Sequence, residues 1–207
     1  MRLSEKAYHL IKEKIITLEL PPSAVIDERA LMQELGLGRT PIREALQRLA
    51  VEGLVNIVPR RGIFVADISI TDLQKIFEVR MCLEGFCAQL AAQRITADQI
   101  MQMETVLQDL EHVQSGDVKA LMTIDERFHS LMYQAADNEF LAETLSRLYA
   151  LSLRLWYLVL YRLGDVREAI EQHRGIADAL KAGDGERAAE LTKQHIAQFQ
   201  QGIKAVL

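Results

Sequence analysis

After Pro59 the chain contains no proline: its 207 residues hold four, Pro21, Pro22, Pro41 and Pro59. Nothing beyond residue 70 therefore breaks a helix by removing an N–H or by clashing with the preceding turn. Cysteine is nearly as scarce. Cys82 and Cys87 stand five apart in what reads as one helix, where they project in different directions and are poorly placed for a disulfide. That usage suits a reducing compartment. Long apolar runs are missing too. The uninterrupted stretch 155–161 has seven residues, against roughly 20 for a membrane span, and residues 1–20 are charged and amphipathic, unlike a signal peptide. These absences predict a cytoplasmic protein with no membrane partner. A basic surplus is also lacking: 24 Lys and Arg face 29 Asp and Glu, for a net charge of -5, which argues against a surface given over wholly to nucleic acid.

The charge that is present is unevenly spread. Residues 1–66 hold 10 basic and 8 acidic side chains and residues 67–207 hold 14 and 21, giving +2 and -7. With 49% hydrophobic and 26% charged residues the chain falls in the folded rather than the disordered class, and its length suits two small domains. We place them at 1–66 and 67–207. Beyond residue 70 the periodicity predicts six helices, at about 71–93, 97–115, 117–136, 139–162, 166–182 and 185–205. Thr71, Thr96 and Asp165 are cap candidates, and Gly116, Gly164 and the turn Gly183-Asp184-Gly185 are stops. The fold class is mainly α, with an all-α bundle of six helices joined by short links as the second domain.

Before residue 66 the order differs. An amphipathic helix bearing Leu3, Ala7, Leu10, Ile11, Ile15 and Leu18 ends at Pro21-Pro22, and a short second helix runs from about Glu28 to Leu35. Gly36 breaks the chain, and a third helix begins near Thr40-Pro41, where proline is tolerated because first-turn N–H groups have no intrahelical acceptor. Two β-prone runs, 54–58 and 63–66, flank Pro59-Arg60-Arg61-Gly62 as a hairpin. Helix, helix, turn, helix, hairpin is the order of a winged helix-turn-helix. On the third helix Ile42, Ala45, Leu46 and Leu49 share one face, while Arg39, Arg43 and Gln47 recur at intervals of four on another. A guanidinium on such a face can bond in a bidentate way to guanine O6 and N7 or clamp a phosphate, and Thr40 can donate to a phosphate at the helix N-terminus. Arg60, Arg61 and Gly62 at the hairpin tip could lie against the minor groove or the phosphates. The alternative for Arg39, Arg43 and Arg48 is a solvated face paired locally with Glu44 or Glu52.

The stretch from Leu20-Pro21 to Gly62, with its run GRTPIREALQRLAVEGLV followed by PRRG, resembles the N-terminal domain of the GntR family of bacterial winged-helix transcription regulators. The resemblance implies DNA contacts by Arg29, Arg39, Thr40, Arg43 and the wing Gly62. Gly38 stands where the family often has a serine cap, which costs the helix little.

In the second part Asp125 and His129 are four apart, on one helix face beside Leu121, Ile124, Phe128 and Met132. His173 lies eleven residues before Asp184 and His195 eleven after it, so an antiparallel hairpin brings the two imidazoles level, each on an apolar face. They are either core histidines satisfied by hydrogen bonds or, with Asp125 and His129, a ligand set suited to zinc, nickel or another first-row divalent ion. Arg80 and Glu84 stand four apart, the spacing of a helix ion pair, and Arg154, the charge within an apolar helix, can snorkel to the surface. Trp156 and Tyr157 fill core or wall a pocket.

The runs IDERFHSLMYQAADN, EQHRGIADALKAGDGERA and KQHI resemble the FadR-type (FCD) C-terminal domain of GntR regulators, and the count of six helices is similar to its VanR-like subgroup. The resemblance implies a metal on Asp125, His129, His173 and His195, zinc foremost, and a small carboxylic acid at the ion, whose carboxylate would meet Arg80, in the run FEVRMCLEG, with Arg154 as a second candidate. It also implies a homodimer on a two-fold double-stranded DNA operator, with release of DNA on ligand binding. Two rivals stand beside a repressor of this kind: the same fold with a purely structural ion, and a metal-dependent hydrolase. For the second, no general base, paired Glu-x-x-His motif, nucleophile elbow or phosphate loop is visible, so no enzyme and no catalytic residue is expected.

Overall fold

The computed structural model describes residues 2–114, 116–159 and 166–206. Two compact units emerge. One comprises Met1–Leu73 with Ala150–Leu158, the other Gln74–Tyr149 with Val159–Leu207.

The first unit begins with α1 (Leu3–Ile16), whose face of Ala7, Tyr8, Ile11, Ile15 and Ile16 is buried at the helical spacing. α2 (Glu28–Leu35) starts where Asp27 accepts the backbone N–H of Arg29 at 2.8 Å and of Ala30 at 3.2 Å, and it stops at Gly36, which is left-handed at φ 62. α3 (Arg39–Val51) is capped by the extended backbone of Gly38 with no capping side chain, so its first-turn N–H groups are left to water or to an anion. It buries Ile42, Ala45, Leu46 and Leu49. β1 (Val55–Val58) and β2 (Gly62–Val65) pair antiparallel, Val55 opposite Val65 and Val58 opposite Gly62. Their turn places Arg60 at φ 62 and Gly62 at φ 121, and only glycine adopts the second value without strain. One apolar cluster joins α1, α2, α3 and the hairpin, with Leu151 packed against it. This is the expected winged helix-turn-helix.

The rest is helical: α4 (Ile70–Arg94), α5 (Ala97–Asp109) with a 3-10 turn at Leu110–His112, α6 (Val118–Ala135), α7 (Glu139–Val159), α8 (Arg167–Glu171), α9 (His173–Lys181) and α10 (Gly185–Val206). Thr96 caps α5 through a reciprocal box with Gln99, and Gly116 is left-handed at φ 84 before α6. The expected stop at Gly164 and cap at Asp165 lie outside the described residues. One expectation is corrected. The fifth predicted helix, 166–182, is two segments, α8 and α9, because the ring of His173 bonds the Ile170 carbonyl at 2.8 Å, an oxygen that a continuous helix would offer to the N–H of residue 174. The six-helix count behind the subgroup likeness falls with it. Cys82 is exposed and Cys87 buried, both free. Among the described residues no helix is long and apolar enough to cross a membrane.

Candidate DNA-reading face and metal centre

On the first unit Arg29, Arg39, Thr40, Arg43, Arg60, Arg61 and Gly62 are all exposed. Burial of the Ile42 and Leu46 face turns Arg39, Arg43 and Gln47 outward, as the spacing requires. Arg29, Arg39 and Gly62 line a common groove with Asp27, Glu28 and Met32, so α2, the start of α3 and the wing converge there. Arg43 is held from the neighbouring helix: its Nε donates to Glu28 Oε1 at 2.7 Å and its Nη2 to Oε2 at 3.3 Å. Glu28 lies fifteen residues away, beyond the reach of any local pattern. Arg48 instead lies 3.7 Å over the Tyr8 ring and contacts Glu5 at 3.1 Å and Glu52 at 3.5 Å. Of the α3 arginines it is the one tied into the fold by a ring and two carboxylates.

In the second unit Asp125, His129, His173 and His195 meet as the spacing predicts. All four are buried, at no more than 3% exposure, and one ligand atom from each lies within 4.8 Å of the others. Asp125 and His129 come from successive turns of α6, His173 opens α9, and His195 faces it from α10 with ring centroids 4.4 Å apart. Asp125 Oδ1 stands 3.4 Å from His173 Nε2, 3.7 Å from His195 Nε2 and 3.8 Å from His129 Nε2. The Nε2 atoms of His129 and His173 are 3.4 Å apart.

Partners behind these atoms fix their direction. Tyr149 donates to Asp125 Oδ2 at 2.5 Å, while Oδ1, turned to the histidines, has no hydrogen bond. His173 Nδ1 meets the Ile170 carbonyl, which only accepts, so that nitrogen carries the proton and Nε2 presents its lone pair. Behind His129, Glu84 Oε2 lies 2.9 Å from Nδ1, and Glu84 Oε1 accepts from Arg80 Nε at 2.6 Å. Burial pushes His173 down to about 4, against the pull of Asp125, and pushes His195 well below the usual imidazole range with His173 and His129 adding to it. Burial would raise Glu84, but Arg80 and His129 outweigh it and hold the carboxyl at about 2.

The arrangement fits a cation. A buried carboxylate oxygen without a donor and imidazole lone pairs aimed at one point are costly as they stand, and a divalent ion satisfies them together. Asp125, His129, His173 and His195 would hold it. A gap beside them, too narrow as it stands to admit a water molecule, is lined by Arg80, Asp125, His129, His195, Ile196 and Phe199. Arg80 pairs with Glu84 and also borders the gap.

Arg154 is placed elsewhere, and the reading that it snorkels to the surface is corrected. It is buried in the first unit, where Nη2 donates to the Ala66 carbonyl at 2.5 Å, and burial lowers it to about 10. A backbone carbonyl 88 residues away holds it inside, so it neither snorkels nor lines the gap. Trp156 is buried and belongs to the same unit. Two residues escaped the sequence reading. Glu84 was visible only as the partner of Arg80, since its second contact is tertiary. Tyr149 carried one signal, a hydroxyl in an apolar helix that needs a partner.

Comparisons with known proteins match this description part by part. The profile of the gntR family of bacterial regulatory proteins matches residues 3–65, and that of the FCD domain matches residues 75–198. The chain is 26% identical over 205 residues to the HTH-type transcriptional repressor RspR of Escherichia coli strain K12, covering 99% of this chain and 90% of that one. It is 30% identical over 183 residues to the Nta operon transcriptional regulator of Aminobacter aminovorans, covering 87% and 85%. The solved structure of E. coli McbR/YncC superposes with a TM-score of 0.89 at 22% identity, over 99% of this chain and 98% of that one, which speaks to the fold. The chain belongs to the gntR family of bacterial regulatory proteins, with a winged helix-turn-helix followed by an FCD domain, and is a transcription regulator rather than an enzyme.

Proposed function

We propose that the chain is a metal-dependent repressor that binds a two-fold operator as a homodimer and loosens its hold when a small carboxylic acid enters the FCD domain. The observation that carries the reading is the buried convergence of Asp125 Oδ1 with the imidazoles of His129, His173 and His195 beside a gap bordered by Arg80. Three nitrogens and one carboxylate oxygen suit zinc, with nickel or another first-row ion next. When bound, the ion supplies a Lewis-acidic anchor for an acid's carboxylate. Arg80 offers the same acid a guanidinium, and Ile196 and Phe199 give its apolar part a wall. On the first unit Arg39 and Arg43 read base edges, Arg29, Thr40, Arg60 and Arg61 position the phosphates, and Gly62 lets the wing approach. One unit presents few base-reading side chains, which favours two half-sites and hence a dimer. The relatives named as a repressor and an operon regulator support the direction of the output.

Elemental analysis of the purified protein, followed by a thermal-shift screen of small carboxylic acids and operator shift assays with each hit, tests this reading. A hit that depends on the ion and releases DNA supports it. Metal without any acid effect on DNA binding leaves a structural ion, and absence of metal refutes the site.

A further inference from the structure

Glu84 has no exposed surface, lies on α4 away from the four proposed ligands in sequence, and turns its two oxygens toward different side chains. Arg80, one turn earlier, takes Oε1 at 2.6 Å; an ion pair of that kind needs nothing more to exist. Oε2 nevertheless approaches another helix, 2.9 Å from His129 Nδ1 on α6, an ion-pair distance at which the two atoms are not aligned as a hydrogen bond. An ionised carboxylate only accepts, so this contact is sound only when Nδ1 carries the proton. The proton on Nδ1 leaves Nε2 with its lone pair, and Nε2 is the atom that faces Asp125 and His173.

We infer that Glu84 is the positioning residue of the metal centre: with Arg80 steering its carboxylate, it selects the His129 tautomer that can bind an ion. The inference rests on the metal reading above and adds to it a residue that touches neither the ion nor DNA. It also explains the geometry of α4. Arg80 Nε orients the carboxylate plane, so that the second oxygen is aimed rather than free to rotate, and the backbone of α6 keeps His129 in register with Asp125 one turn before it. A neutral amide cannot do the same work. Glu84→Gln must turn its oxygen to Arg80, which only donates, and then presents an NH2 group to Nδ1, favouring the tautomer with its proton on Nε2.

Two measurements test this. Ring-nitrogen NMR of the metal-free wild type, with the His129 signals identified by their loss in His129→Gln, should show the proton on Nδ1, and in Glu84→Gln it should move toward Nε2. Zinc affinity by competition with a chromogenic chelator should weaken about 10- to 100-fold in Glu84→Gln, with the far-ultraviolet spectrum of the metal-free protein unchanged. A wild-type His129 protonated on Nε2 would overturn the inference without any variant. So would Glu84→Gln that keeps the wild-type tautomer and binds zinc within about twofold of wild type. If the wild type itself takes no zinc the metal reading fails, whereas the tautomer measurement still decides what Glu84 does to His129.

Discussion

Acidifying the metal-free protein should cost it stability in a window that the buried histidines define. Burial foremost holds His173 at about 4 in the fold, against 6.5 for the unfolded residue, with Asp125 opposing. Below pH 6.5 the unfolded chain takes up a proton that the folded one still refuses, so the stability is whole above that value and is lost as pH falls toward 4. Integrated from about pH 7.5 to about pH 5, His173 alone removes roughly 2 kcal/mol. For a chain of this length that lowers Tm by about 4–8 °C. His195 acts in the same direction. Glu84 does not confuse the window: its carboxyl, held at about 2, contributes stability that is complete above 4.5 and is lost only below that. The assay is urea unfolding of chelator-treated wild type and His173→Gln at both pH values. Wild type should lose roughly 2 kcal/mol more than the variant between them. Equal losses would show that His173 is not held neutral by its surroundings, and the argument from burial would fail with it.

Three further outcomes follow from the two sites. Arg43→Ala should weaken operator binding by about 1–3 kcal/mol and relax specificity at one base pair, with metal content intact, since Arg43 is exposed and its bonds run to Glu28 in the first unit; unchanged affinity in a shift assay would remove α3 from the reading. His173→Ala with His195→Ala should strip the metal and abolish any acid effect on DNA binding, and full metal occupancy by elemental analysis in the double variant would count decisively against the site. Arg60→Gly should raise stability by about 1 kcal/mol, because Arg60 sits at φ 62, yet lower DNA affinity with a shallower salt slope; unfolding curves and a salt series separate the two effects.

What the sequence disclosed depended on how far apart the partners lie. Local periodicity was enough for α1, α2 and α3, and it put Arg39 and Arg43 on the face opposite Ile42 and Leu46 because a helix repeats every 3.6 residues. The match of His173 with His195 was legible for a similar reason. An antiparallel pair of helices about the turn at Asp184 preserves equal spacing on its two sides, and the break at Gln172 lies just before His173 and leaves that spacing intact. The break itself was not legible, because it arises from a ring nitrogen choosing a carbonyl. Nor were Glu28 beside Arg43, Glu84 behind His129 or Ala66 under Arg154, since each pair is made by tertiary packing across a sequence gap that carries no period.

α7 carries Tyr149 and Arg154 little more than one turn apart, the first bonded to Asp125 in the second unit and the second to Ala66 in the first. The winged helix is therefore not a bead that can be cut free at its apparent boundary. A fragment ending at residue 73 would lack the stretch Ala150–Leu158, including Leu151 on its apolar cluster and the guanidinium that serves Ala66. In folding terms the first unit draws its stability from two separate stretches of chain, because unwinding the Ala150–Leu158 part of α7 removes Leu151 and Arg154 from it.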